Sequence, residues 1–299
     1  MEYGTTHTTV HWDAAEAAIF RTEYERGSRI ADEPRGQKIF RYDTARHPFA
    51  AEMTRLLVDK GLLTGAAASS PPPLERLHEA LSPDVMALDA GELNDVSRRF
   101  YDNDERFTQV YERFLAEVVG PQVVGGDFVF QTTPTIRFHF PHQAGFRWRP
   151  RYHTDVMLGH PPQEINLWLP VAGASGNASM RIAPMNESVA LCKRLDLDFE
   201  RLARGVQDNV ALAGQCEAMS TPVELSYGQF LAFDSRCLHA TQYNDTNWTR
   251  ISLDFRAVPL ADYEAIRLKY RGTGRRQMLF RRGEYYDPRT SRDLPSRSA

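Results

Sequence analysis

The sequence predicts a mainly β chain with flanking helices, its core a closed double sheet of the jelly-roll kind, and three observations lead there. Between Gly125 and Pro259 short runs rich in β-branched and aromatic residues are punctuated by Gly, Pro and Asn. About eight of these runs read as strands, a number that suits two antiparallel sheets closed on one another. Before them, from about Pro48 to Gly120, apolar residues recur at intervals of three and four, as on helices. No internal repeat interrupts this order, so the 299 residues read as one main core with additions.

In chain order, residues 1–124 are expected as a helical region packed on the barrel. Ala51 to Val58 and Phe107 to Leu115 are its clearest helices, and Ala66 to Pro73 is a breaker-rich surface loop. The catalytic core is expected over 125–260, with strands near 127–131, 134–140, 153–158, 163–171, 178–183, 229–234, 237–243 and 249–257. An insert near 185–223 breaks the strand pattern with a helical stretch from Glu187 to Leu202 and a polar connector, placed over one mouth of the barrel. Residues 261–299 read as a helix from Asp262 to Tyr270 and a basic tail. The tail is expected as a solvated end, with a phosphate or nucleic-acid site as the alternative, and Tyr285 and Tyr286 are candidates to anchor part of it.

Composition excludes several classes. With 42% hydrophobic and 25% charged residues the chain has the makeup of an ordinary globular protein. A formal charge of -3 gives no global field to attract nucleic acid. The first residues lack the basic start and apolar run of a signal peptide, and no apolar run approaches the ~18 residues of a membrane span. A cytoplasmic protein with a small-molecule substrate, no nucleic-acid partner and no membrane partner is expected, its oligomeric state unspecified. Cys192, Cys216 and Cys237 are too few and too scattered for a disulfide framework or a zinc knuckle. Cys237, two residues before His239, reads either as a ligand or as a buried thiol.

The chemistry begins at Arg151-Tyr152-His153-Thr154-Asp155. On a strand, a period of two puts His153 and Asp155 on one face, where an imidazole and a carboxylate can converge on one ion. Nine histidines predict about half a His-x-Asp by chance, so the tripeptide alone is a weak signal. Its weight comes from His239 at the start of a late strand, followed eleven residues on by Arg250-Ile251-Ser252. Two histidines and one carboxylate leave three metal positions open, the arrangement of non-haem Fe(II) oxygenases. Arg250 and Ser252 share a strand face and can offer a guanidinium fork and a hydroxyl to the far carboxylate of a keto acid. Alternatively Arg250 pairs with a nearby acid such as Asp245 or Asp254; Arg256 is the next candidate for the anchor.

His153-x-Asp155, His239 and Arg250-x-Ser252 resemble the Fe(II)/2-oxoglutarate-dependent oxygenase superfamily, over roughly Gly125 to Pro259. The resemblance implies a double-stranded β-helix, with Fe(II), 2-oxoglutarate and O2 as cofactor and co-substrates. Together with Gly159 to Pro170 and Ser179-Met180-Arg181, the motif is similar to phytanoyl-CoA-hydroxylase-like oxygenases of aminoglycoside antibiotic pathways, of the streptomycin or hygromycin type. This implies oxidation of a small polar natural product, an aminocyclitol or aminoglycoside, by hydroxylation or oxidative ring closure. Related halogenases carry a small residue where Asp155 stands, which argues against halogenation. The alternatives are a metal-dependent hydrolase and a non-catalytic jelly-roll binding protein.

Several further residues surround this motif. On strand 163–171, Glu164, Asn166 and Trp168 alternate with Ile165, Leu167 and Leu169, and the polar face is expected inward. Asn166 is a candidate for the iron-proximal carboxylate of the co-substrate, and Trp168 either walls the co-substrate or packs in the core. Arg137 and His139 share a strand face just before the metal motif, and either can face substrate. Trp148, in an arginine-rich loop at the mouth, either stacks on a sugar ring or packs; Arg181 is a further substrate candidate near the insert.

Overall fold

The last strand shows most directly how the barrel is built. β9 (Arg250–Pro259) places Ile251, Leu253, Phe255 and Ala257 on one face and Arg250, Ser252, Asp254 and Arg256 on the other. The apolar face lies against the N-terminal helices. The polar face looks into the barrel, where few polar groups can stay unpaired without cost.

The structure, a computed structural model, describes residues 21–30, 34–89, 93–100, 104–145, 150–269 and 282–295. Its larger sheet joins β1 (Gln37–Arg41), β7 (Gln229–Asp234), β4 (Ile165–Pro170), β9 and β2 (Phe128–Phe130) in that order, with β3 (Thr135–His139) also paired to β9. The smaller sheet has the order β6 (Thr221–Pro222), β5 (Met180–Ile182), β8 (His239–Thr241). The pairings between these strands are antiparallel. Trp168, Leu231 and Phe233 from the larger sheet pack against Met180 and Ile182 from the smaller one, so the two sheets close as the double-stranded β-helix, or jelly roll, that the sequence predicts.

The outer face of the larger sheet is covered by α1 (Phe49–Asp59) and α2 (Glu105–Phe114). Phe49, Met53, Leu56 and Leu57 on α1, and Phe107, Val110, Tyr111 and Phe114 on α2, form one cluster with Ile165, Leu167, Phe230 and Phe255 of the sheet. Asp104 caps α2, accepting a hydrogen bond from Phe107 N at 2.8 Å. No helix among the described residues is long and apolar enough to cross a membrane.

Three local expectations change. The strand expected at 153–158 is a single bridge at His153 followed by a 3-10 turn, Asp155–Leu158. Thr154 Oγ1 caps that turn by accepting from Met157 N at 3.3 Å, and Gly159, at φ +94°, ends it in a conformation that side chains resist. The insert holds three helices: α3 (Met185–Arg194), α4 (Phe199–Asp208) and α5 (Val210–Met219). Asp196 and Leu197 take positive φ between the first two, and the side chains of Asp198 and Asn209 cap the second and third. The N-terminal region, read as helical, also supplies edge strand β1, paired to β7 from Gln37↔Phe233 to Arg41↔Gln229.

The tail is more than a solvated end. After α6 (Leu260–Lys269), Tyr286 is fully buried against Val129, Val258 and Tyr263, and Asp287 N donates to Phe130 O at 2.8 Å. Tyr285 and Tyr286 anchor it as expected, with the Tyr285 hydroxyl donating to Gln131 Oε1 at 3.1 Å.

Candidate metal centre

Two histidines fix each other on the edge of the smaller sheet. His153 N donates to His239 O at 3.0 Å and His239 N returns the bond at 2.9 Å, which sets the two rings side by side with centroids 4.4 Å apart. Each ring is held from behind by a carbonyl, His153 Nδ1 at 2.9 Å from Arg151 O and His239 Nδ1 at 3.0 Å from Cys237 O. A ring that donates from Nδ1 keeps its lone pair on Nε2, so both Nε2 atoms are prepared as ligands.

Asp155 completes the set. Its N–H donates to Ser235 O at 3.0 Å, on the turn that leads into β8, and its Oδ1 stands 3.5 Å from His239 Nε2 and 4.0 Å from His153 Nε2. That oxygen is buried and has no hydrogen-bond partner among the described residues. Oδ2 accepts from Arg256 Nη2 at 2.8 Å and Nε at 3.1 Å. Burial by itself would raise the Asp155 carboxyl, but Arg256 and then His160, His239 and His153 hold it well below its ordinary range. Two imidazole lone pairs and one unpartnered carboxylate oxygen fit a divalent ion, and three positions on that ion would remain open.

Further along the same barrel floor the unpaired polar atoms continue. Arg250 is 2% exposed, its Nε is unpartnered, and no carboxylate pairs with it among the described residues. The alternatives weighed for it are engaged elsewhere: Asp254 accepts from Arg137 Nε at 2.6 Å, and Asp245 accepts from Asn177 Nδ2 at 2.9 Å. Burial lowers the Arg250 guanidinium to about 10, with Asp254 opposing and Arg137 adding to the shift, so it remains a cation at neutral pH. Ser252 Oγ and both amide atoms of Asn166 are also buried and without a hydrogen-bond partner among the described residues. Asn166 pairs with Phe233 on one side and Arg256 on the other, and Phe233 meets the His239 ring edge-on at 5.1 Å. Asn166 therefore lies beneath the histidines. Trp168, one position further along the same face, has the Arg250 guanidinium 5.6 Å from its ring centre.

No protein-family model matches the chain. The streptomycin biosynthesis protein StrG of Streptomyces griseus is 28% identical to it over 249 residues, 83% of this chain and 96% of that protein. Among solved structures, the non-haem α-ketoglutarate-dependent epimerase SnoN from nogalamycin biosynthesis overlaps 83% of this chain and 84% of its own, at 14% identity and a TM-score of 0.43. The iron-bound EctD of S. alaskensis overlaps 87% of this chain and 83% of its own, at 13% identity and a TM-score of 0.41. Likeness at this level leaves the chemistry to be read from the residues of the chain itself.

The remaining expected residues separate by face. His139 is buried directly opposite Arg250, its Nε2 2.9 Å from Gln242 O; burial, and then Arg250, lower it to about 3, so it is neutral. Arg137 is on the same face but half-exposed and paired with Asp254. Arg181 pairs with Ala240, whereas its neighbour Ile182 pairs with His239, so Arg181 is on the face turned away from the histidines. Its guanidinium there donates to the carbonyls of Ser220 at 2.5 Å and Glu217 at 3.1 Å, at the end of α5, which removes it from the substrate candidates. Trp148 lies outside the described residues. Cys237 is a buried thiol near the carbonyls of Arg35 and Gly36; only its own carbonyl serves the site, by holding His239.

Sequence reasoning passed over the partners of Asp155. Arg256, considered as a second anchor, is committed to Asp155 and lies 3.9 Å from Glu164 Oε1. Asp155, His160 and Glu164 form a second group of clustered donors. His160 Nδ1 lies 2.8 Å from Glu164 Oε1, and the guanidinium of Arg256 reaches both Asp155 and Glu164. The strand alternation that singled out Arg250 and Ser252 also put Arg256 on the inner face, a signal that was present in the sequence.

Proposed function

We propose that this chain is an Fe(II)- and 2-oxoglutarate-dependent oxygenase that oxidises a small polar natural product, an aminocyclitol or aminoglycoside, by hydroxylation or oxidative ring closure. The observation that carries the reading is Arg250, a buried guanidinium that among the described residues has no carboxylate partner, beside a Ser252 hydroxyl equally without one, in a barrel that also holds His153, Asp155 and His239. A buried charge left in this way is costly unless a ligand completes it. A dicarboxylate fits, one end on Arg250 and Ser252 and the other towards Asn166 and the metal ligands. Arg250 argues against a hydrolase using the same triad, because activating water at the metal does not call for a second, buried anion site.

His153, Asp155 and His239 would hold the iron, which when bound supplies the coupling of 2-oxoglutarate decarboxylation by O2 to oxidation of a substrate C–H bond. The protein's part is placement. Arg250 and Ser252 orient the co-substrate, Asn166 meets its inner carboxylate, and Trp168 forms the wall between them. Leu231, Phe233, Met180 and Ile182 keep water from the floor. Met157 packs with Val206 of insert helix α4 beside the metal ligands, so the insert covers this side of the site. Arg137 and His139 are further contacts on the strand next to Arg250. The aminocyclitol or aminoglycoside class is supported by the similarity to a streptomycin biosynthesis protein along nearly the whole of that protein.

The test is to reconstitute the protein anaerobically with Fe(II), add 2-oxoglutarate, O2 and a panel of aminocyclitols and aminoglycosides, and measure succinate and product mass. Succinate formation stimulated by one panel member, with an oxidised product, is expected. Succinate no higher than in a protein-free control, across the panel and without substrate, would sink the reading.

A further inference from the structure

We infer that Arg256, Glu164 and Tyr286 form a brace that makes Asp155 a one-oxygen ligand, so that the C-terminal segment 282–295 is part of the metal centre. The inference rests on the reading of His153, Asp155 and His239 as metal ligands, and it assigns positioning roles to three residues that touch neither metal nor substrate.

A carboxylate that can turn freely is able to give a metal both oxygens and so occupy a position needed by another ligand. Asp155 cannot turn freely. Both Nε and Nη2 of Arg256 donate to Oδ2, at 3.1 and 2.8 Å, and only Oδ1 faces the two imidazoles. Arg256 needs support in turn, because its side chain projects from β9 into the barrel, where it could swing towards other acceptors. Glu164 provides that support, with Oε1 3.9 Å from Arg256 Nε and 2.8 Å from His160 Nδ1. The other oxygen of Glu164 accepts a hydrogen bond from the Tyr286 hydroxyl. Tyr286 is fully buried, and its segment is pinned to the barrel by Asp287 N donating to Phe130 O and by the bridge between Gln131 and Tyr286. The two ends of the brace are hydrogen bonds, Tyr286 to Glu164 and Arg256 to Asp155, and its middle is an ion-pair contact at 3.9 Å between Glu164 and Arg256. This layout also accounts for the second donor cluster, Asp155, His160 and Glu164, which Arg256 bridges.

The experiment compares the full-length protein with Arg256→Lys, Glu164→Gln and Tyr286→Phe under anaerobic conditions. Mn(II) affinity is read by electron paramagnetic resonance, coordination by the visible spectrum of the Co(II) form, and apo-protein stability by thermal melting. Losing the partner of a metal ligand typically weakens metal binding about 10- to 100-fold. That range is expected for Arg256→Lys, which keeps the charge but cannot hold Oδ2 with a two-pronged fork. Tyr286→Phe, which removes one hydroxyl, should weaken Mn(II) binding several-fold and shift the Co(II) spectrum, with melting close to wild type. Glu164→Gln should fall between them. Wild-type Mn(II) affinity and an unchanged Co(II) spectrum in all three variants would overturn the brace and leave the oxygenase reading intact. Wild-type protein that binds metal but yields no succinate would sink the oxygenase reading and leave the brace standing. Failure of the wild type to bind Mn(II) or Co(II) would overturn both.

Discussion

The Arg250 guanidinium stands over the Trp168 ring, 5.6 Å from its centre, and has no carboxylate partner among the described residues. A desolvated cation–π contact contributes about 2 kcal/mol, less than the several kcal/mol that a buried ion costs. The difference is available to an incoming anion. Arg250→Ala should therefore weaken 2-oxoglutarate binding about 10- to 100-fold, the worth of one charge-assisted hydrogen bond. Anaerobic calorimetry with Mn(II) in the site measures it, and unchanged affinity would place the anchor elsewhere. Trp168→Phe keeps an aromatic face and should lose only a few-fold.

Asp155→Ala removes the ligand oxygen and strips Arg256 of its closest partner. Metal content after dialysis should fall to background and substrate-dependent succinate should disappear. Leaving a buried charge unpaired costs about 3–5 kcal/mol, so the apo variant should also unfold at lower urea. A variant that retains stoichiometric iron would contradict the ligand assignment.

The turn that delivers His239 depends on a buried ion pair. Arg236 donates through Nε and Nη2 to the two oxygens of Asp234, both bonds 2.7 Å, and through Nη1 to the carbonyls of Tyr24 and Arg26 at 2.7 and 2.5 Å. Both side chains are 2% exposed. Arg236→Met should destabilise the fold by about 3–5 kcal/mol, because Asp234 and two carbonyls lose their donor. Equilibrium urea unfolding of apo protein checks this, and a loss below about 1 kcal/mol would show that the pair is dispensable.

His139 predicts an acid-side slope. Its folded value is lowered from 6.5 to about 3, so between those values the unfolded chain binds a proton that the folded chain does not. Stability from this group is complete above pH 6.5 and falls as the pH drops towards 3, by about 1.4 kcal/mol per pH unit at most. His139→Gln should flatten the dependence of unfolding free energy on pH between 6 and 4. An identical slope in the variant would assign it to other groups.

The alternation of β9 was legible because a period of two is a local property: Arg250, Ser252 and Arg256 face inward wherever the strand is placed. His153-x-Asp155 was legible for a different reason than strand periodicity suggests. Asp155 reaches the histidines by opening a 3-10 turn capped by Thr154, a geometry set by the Gly159 stop and by the bond from Asp155 N to Ser235 O, eighty residues apart in sequence. β1 was missed because Gln37-Lys38-Ile39-Phe40-Arg41 has three polar residues in five, and Ile39 is 49% exposed on an edge strand with no clean apolar face. The outward turn of Arg181 depends on its pairing with Ala240 rather than His239, a register that no local pattern encodes.

The sequence by itself determined the ligand types, the inward face of β4 and β9 and the jelly-roll class, because each follows from residue chemistry and short-range periodicity. Tertiary structure decided which inward arginine is paired and which is left for a ligand. Arg256 meets Asp155 from 101 positions away, and Glu164 meets Tyr286 from 122. Only closure of the barrel brings such partners within the few ångströms over which a buried charge is compensated. Among the described residues that closure left Arg250 without an acid partner and so turned an ordinary strand arginine into a candidate binding group.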